Sequence, residues 1–147
     1  MKIDKLWNGL KRIANGDYVL EGDLISEETI EIDLNDRFVV RGRIQTKKSI
    51  VVRCGIEAGD GIKAGCGIEA GEGIEAGDGI KAGEGIKAGE GIKAEKFIDV
   101  QKRIFAGISV YRTSRDCDKT IRCAELRNGE ICYGDLTLTK EGKPDEG

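Results

Sequence analysis

Residues Ile56–Ala94 read IEAGDG IKAGCG IEAGEG IEAGDG IKAGEG IKAGEG IKA, with an isoleucine at every sixth position: Ile56, Ile62, Ile68, Ile74, Ile80, Ile86 and Ile92. A fixed short period marks a repeat architecture, in which each unit buries its apolar face only by stacking on the next. Six residues are too few for a helical hairpin. They suit one short strand and one tight corner, the unit of a parallel β-helix. Residues two apart in a strand face the same side, so Ile and Ala point inward together and the residue between them points out. Gly-x-Gly is then expected to form the corner, because glycine accepts positive φ at little steric cost.

The same register continues outward. Upstream it meets Ile50, Ile44, Phe38 and Ile32, and downstream Ile98, Ile104 and Val110. The inward partner reads Leu34, Val40, Thr46 and Val52, then Ala58 through Ala94, then Val100 and Ala106. The tract is thus the regular centre of a degenerate repeat over residues 32–112. Three sides close a triangular coil of about 18 residues, and coils stack at roughly 4.8 Å. Fourteen anchors give about four to five coils and a rod roughly 20 Å long. The larger inward partners upstream predict wider and less regular coils there.

The ends read differently. Ile3, Leu6, Trp7, Leu10 and Ile13 fall at helical spacing, and Asn15-Gly16-Asp17 ends the segment, which predicts a short capping helix over 3–13. Lys119–Leu126 and Glu130–Leu138 flank Asn128-Gly129, the strongest short hairpin signal. The expected organisation is all-β. It has a helix and capping segment at 1–31, a single-stranded parallel β-helix at 32–112, a β-hairpin at 113–139 and a disordered tail at 140–147. Helix and hairpin serve as caps or oligomerisation elements.

The six-residue period resembles that of hexapeptide-repeat left-handed β-helix proteins, a group rich in acyltransferases. That group places its small residue two positions before the aliphatic anchor, where this chain has Asp60, Cys66, Glu72, Asp78, Glu84 and Glu90. In outline the chain is also similar to bactofilins, whose triangular coils stack into polymerising right-handed rods. The first resemblance implies acyl transfer and the second self-assembly. Both windings stay open.

Composition narrows the chemistry. The chain has 147 residues, a net charge of −3, 22 glycines, one proline and 5 % aromatics. This charge argues against a nucleic-acid binder relying on overall positive charge. There is no histidine, hence neither the commonest acid/base near neutral pH nor the commonest transition-metal ligand. Acyltransferases of the resembling group generally use a histidine base, and unbroken hexads leave no room for inserted active-site loops. No catalytic residue and no cofactor are assigned. Cys117, Cys123 and Cys132 make a poor zinc site without a fourth ligand, so no metal is expected. A shared hairpin face for Cys123 and Cys132 suggests small buried hydrophobes, and Cys66, in an outward column, is the candidate exposed thiol. Five cysteines without a signal peptide or an apolar span point to a reducing cytoplasm.

The charges are sorted along the chain. Residues 55–94 hold eight acids and four lysines. Residues 18 apart stack, which sets Asp60 over Asp78, Glu72 over Glu90 and Glu57 over Glu75. Asp60, Glu72, Asp78, Glu84 and Glu90 form the candidate acidic column, a rigid ladder that imitates a phosphate backbone. Arg37, Arg41, Arg43, Lys47, Lys48 and Arg53 have no acid among them and form a candidate basic ring, for a nucleic acid, a phosphate or another copy's acidic part. The expected function is non-catalytic binding. The partner is a basic, nucleic-acid-binding protein, and the analogy is with phage- or mobile-element-encoded inhibitors. The alternative is a self-assembling scaffold. A homo-oligomer through a terminal segment is expected, with no small-molecule substrate and no membrane contact.

Overall fold

The computed structural model describes residues 2–4, 7, 10–108 and 118–139. Two strands lie at the N-terminal end, β1 (Lys2–Ile3) and β2 (Leu10–Arg12). The irregular early coils contribute β3 (Tyr18–Leu20), β4 (Leu24–Ser26), β5 (Ile30–Ile32), β6 (Phe38–Val40), β7 (Ile44–Thr46) and β8 (Ile50–Val52). The regular centre gives β9 (Ile56–Ala58), β10 (Ile62–Ala64), β11 (Ile68–Ala70), β12 (Ile74–Ala76), β13 (Ile80–Ala82), β14 (Ile86–Ala88) and β15 (Ile92–Ala94). The last strands are β16 (Phe97–Ala106), β17 (Thr120–Cys123), β18 (Glu125–Tyr133) and β19 (Asp135–Leu138).

These strands wind into an all-β parallel solenoid of about 6 turns. The first face stacks β3, β6, β9, β12, β15, β17 and β19. The second stacks β4, β7, β10, β13 and the N-terminal half of β16. The third stacks β1, β5, β8, β11, β14 and the C-terminal half of β16. Isoleucine lies on isoleucine and alanine on alanine, as in Ile62↔Ile80 and Ala64↔Ala82. The isoleucines from Ile56 to Ile92 are at most 2 % exposed, and each buried side chain of this size contributes about 2 kcal/mol. The corners join the ladder as well, with Asp60 N–H donating to the Gly42 carbonyl at 3.0 Å.

The central glycines serve the corner in an unexpected way. Among the described glycines positive φ occurs at Gly16, Gly22, Gly107, Gly129 and Gly134, none of them in the regular hexads. The first glycine after each alanine is instead a close-approach residue. A methyl group on Gly77 would overlap the Gly59 carbonyl oxygen of the preceding coil, and one on Gly83 would overlap that of Gly65. The second glycine varies with its surroundings: a Cβ on Gly55 would meet the Gly73 oxygen at 3.4 Å, an ordinary contact, whereas one on Gly79 would run into the Phe97 ring.

Several expectations are corrected. Parallel stacking extends upstream of residue 32 to Tyr18, with Ile3 also paired to Ile32; the period does not show this because the first coil is longer than the regular ones and shifts its phase. Its register is Tyr18↔Phe38, Leu24↔Ile44 and Ile30↔Ile50. The two additional residues lie in the corner Asp33–Arg37, and Ile32 therefore pairs with Val52 and is an inward partner, not an anchor. Val110 lies outside the described residues. No helix occurs among the described residues. Ile3 is buried in a strand, and Leu10 to Arg12 pair antiparallel with β3 across Asn15-Gly16. Lys5, Leu6, Asn8 and Gly9 are not described. The apolar spacing still serves burial, since Trp7 and Leu10 pack against the core.

Asn128-Gly129, conversely, closes no hairpin. β18 runs parallel to β16, with Ile98↔Leu126 and Ile104↔Ile131, and β17 runs parallel to both β15 and β19. Following the preceding coil lets this segment pair the whole edge of β16, which a hairpin folded on itself would leave open. The tail expected over 140–147 falls outside the described residues.

The glycine columns give a direct test. Gly77→Ala should cost about 2–3 kcal/mol or more in denaturant unfolding, as overpacking against a fixed neighbour does. Gly55→Ala should stay within about 0.5 kcal/mol of the parent or stabilise it.

Candidate functional site

The six bases of the expected ring do encircle the second coil, and every one is engaged. Arg41 reaches Glu21 at 3.8 Å, Arg43 reaches Asp23 at 3.7 Å, and Lys47 reaches Glu27 at 2.9 Å. Lys48 meets Glu28 at 2.8 Å and Arg53 meets Asp33 at 3.0 Å. Each of these acids lies one full length of the first coil upstream of its base. Arg37 points the other way and bridges Glu57 at 3.1 Å and Glu75 at 3.5 Å. The ring is therefore the upper half of a charge-matched seam between two coils, not a bare cationic surface. A hydrogen bond donated by Lys48 Nζ, and then its charge, hold the Glu28 carboxyl below its ordinary value. The pair's contribution is lost at low pH as the lowered Glu28 value is crossed and at high pH as the raised Lys48 value is crossed, and is full between the two ordinary values.

The acids of the expected column separate onto three corners. Asp60 and Asp78 share the corner between the first and second faces, where Lys96 meets Asp78 at 3.7 Å and Lys63 and Lys81 line the adjoining groove. Glu84 lies between Cys66 and Lys102 on the corner between the second and third faces. Glu72 and Glu90 share the corner between the third and first faces, below the buried Cys54. This last pair joins acids on the adjacent first face. Glu57 and Glu75 stack on the adjacent first face, and the chain brings Asp118 to the same side. A groove of about 270 Å³ is lined here by Glu72, Glu75, Glu90 and Asp118, with Arg37 and Lys93.

Sequence reasoning could find part of this strip. The Glu57–Glu75 stack follows from the regular coil length. Asp118 does not, because the step from Ile92 to its partner Ile121 is far longer than a regular coil. Backbone and hydroxyl hydrogen bonds from Thr120 hold its carboxyl below the usual range, the backbone contribution leading. Stacked carboxylates about 4.8 Å apart repel by about 0.9 kcal/mol even in a water-like dielectric, so this edge favours a cationic neighbour.

The other faces carry grooves of about 530 and 480 Å³, floored by Gly67 and Gly85 on the third face and by Gly61 and Gly79 on the second. The described cysteines are free thiols, and no cluster of three or more potential metal ligands occurs among the described residues. Cys117 is not described. Without a hairpin, Cys123 points into the core from β17 while Cys132 stands exposed on β18, so the two do not share a face. Cys132, rather than the half-buried Cys66, is the more exposed thiol. Neither a family model, nor a curated protein, nor a solved structure matches this chain.

Burial, reinforced by the nearby Glu72 carboxylate, pushes the Cys54 thiol up to about 11 from an ordinary 9.0. The unfolded chain ionises this group first. Its contribution to stability is therefore whole below pH 9 and is lost as pH rises from 9 to 11. Cys54→Ala should flatten this alkaline limb in unfolding measured against pH. In the native protein at pH 8, alkylation followed by mass spectrometry should label Cys132 and spare Cys54.

Proposed function

We propose that this protein is a non-catalytic binding protein that offers a rigid acidic strip to a basic macromolecular partner. The observation that carries this reading is the gathering of Glu57, Glu72, Glu75, Glu90 and Asp118 on one edge of the rod. The backbone beneath them is a continuous hydrogen-bonded ladder, so little ordering is required on binding. Before Arg37, which bridges Glu57 and Glu75, and Lys93 are counted, two acidic columns at strand spacing amount to roughly one carboxylate per 2.4 Å, against about one phosphate per 1.7 Å of duplex DNA. That density supports phosphate mimicry and hence an inhibitor of a nucleic-acid-binding protein. Arg37 and Lys93 line the same groove and keep the strip short, which suits a compact basic pocket better than a long duplex channel. Free thiols in the described chain fit a cytoplasmic setting. No helix of the described residues is long and apolar enough to cross a membrane.

A second reading, self-assembly, draws on the last rung of the solenoid, where Leu136 and Leu138 stand exposed. The antiparallel β2 at the other end breaks the parallel register that head-to-tail growth would continue.

The leading reading is tested by capture on the immobilised chain. Wild-type protein should retain a basic, nucleic-acid-binding protein that elutes as salt rises to about 0.5 M. Glu72→Gln/Glu75→Gln should lose it while unfolding at an unchanged or slightly higher denaturant concentration. Retention indifferent to both salt and substitution would sink the reading.

A further inference from the structure

The C-terminal rung is unlike the rest of the solenoid. Among the described residues β19 pairs on one side only, with β17, and β18 only with β16. Among the described residues no further strand lies over its inward side chains. Leu126 and Ile131 are partly buried against the core, Leu136 is 40 % exposed and Leu138 57 %. An open strand edge backed by aliphatic side chains is a pairing template, and the surface that matches a triangular rung in size and spacing is another such rung.

We propose that this end docks on the same end of a second copy, about a twofold axis through Thr137 and the Asn128-Gly129 corner. The pattern of residues carries the symmetry. Antiparallel pairing of β19 about Thr137 sets Leu136 opposite Leu138 of the second copy and Asp135 opposite its Thr139. The same axis folds β18 onto its counterpart about Asn128-Gly129, which sets Leu126 opposite Ile131 of the second copy. All four inward apolar side chains thus meet apolar partners. The outward positions match as well. Arg127 falls opposite Glu130 of the second copy, twice by symmetry, and no like charges are opposed. Arg127 is already positioned, its guanidinium 3.9 Å from the Phe97 ring centre and its Nε donating to Glu125 at 3.3 Å. Such an isologous contact closes on itself, giving a dimer and not a filament. One rung's cross-section is smaller than the roughly 800 Å² per partner of a standard interface, so a weak, concentration-dependent dimer is expected.

The test is sedimentation equilibrium of the whole chain over a concentration series, with each variant's fold checked by denaturant unfolding. A monomer–dimer equilibrium without larger species is expected. Leu138→Lys, at an exposed position, should raise the midpoint at least about tenfold, while Glu72→Gln should leave it unmoved, which separates this contact from the acidic strip. Arg127→Glu and Glu130→Arg should each weaken the dimer, and the double reversal should restore it. In a Cys132→Ser background, Thr137→Cys should oxidise to a covalent dimer where the parent does not. A monomer at every concentration, assemblies that grow past the dimer, or a double reversal no better than the single ones overturns the proposal.

Discussion

The distance between coils is set by backbone against backbone. At the first glycine of each regular corner the amide donates to a carbonyl of the coil above, as Gly77 does to Ala58 at 2.9 Å, and the neighbouring Gly59 oxygen occupies the space a Cβ would need. Nothing flexible intervenes, so the step is fixed without help from side chains. The isoleucine stack, the alanine stack and the outward columns all inherit that step. A core this thin in aromatic groups tolerates its narrowness because the inward positions alternate a branched side chain with a methyl, and the backbone ladder closes over both.

The same rigidity governs the charges. A residue on the outer surface has one neighbour above and one below, at nearly the separation of a salt bridge. Where the chain sets base under acid, as between the first two coils, the columns neutralise one another. Where it sets acid under acid, as at Glu72 and Glu90, the backbones are held one coil apart and only the side chains can spread the charges. Individual exposed pairs are worth little, about 0–1 kcal/mol each, so the first seam is better understood as matching two coils than as a source of stability. The acidic edge is the converse, like charges whose backbones the frame holds one coil apart.

What was legible in the sequence was whatever the period governs directly. The inward and outward alternation, the length of the regular coil and the Glu57–Glu75 stack are all consequences of counting. The period could not reveal its own interruptions. Tyr18, Leu24 and Ile30 keep the same six-residue spacing, yet a five-residue corner at Asp33–Arg37 puts them out of phase, and the acids that answer the basic ring were hidden by that slip. Two Asn-Gly pairs exchanged roles for a related reason. Asn15-Gly16 turns a true hairpin because β2 meets the uncovered first strand of the stack, whereas Asn128-Gly129 meets a waiting strand edge and becomes one more corner. The dipeptide offers a bend, and the nearest unpaired edge decides what kind.

The uniform centre has a consequence for how the chain finds its place. Shifting the seven near-identical strands by one unit relative to their neighbours would set isoleucine on isoleucine and glycine on glycine again, so the central sequence hardly distinguishes the native winding from its slipped neighbours. It is a ruler with equal divisions and no numerals. The unequal turns supply the numerals: the stretched first coil from Tyr18 to Phe38 and the much longer step from Ile92 to Ile121, neither of which repeats the central unit. The ordinary-looking ends thus choose among degenerate arrangements of the middle, and a chain that winds from its centre must unwind again whenever it begins on the wrong mark.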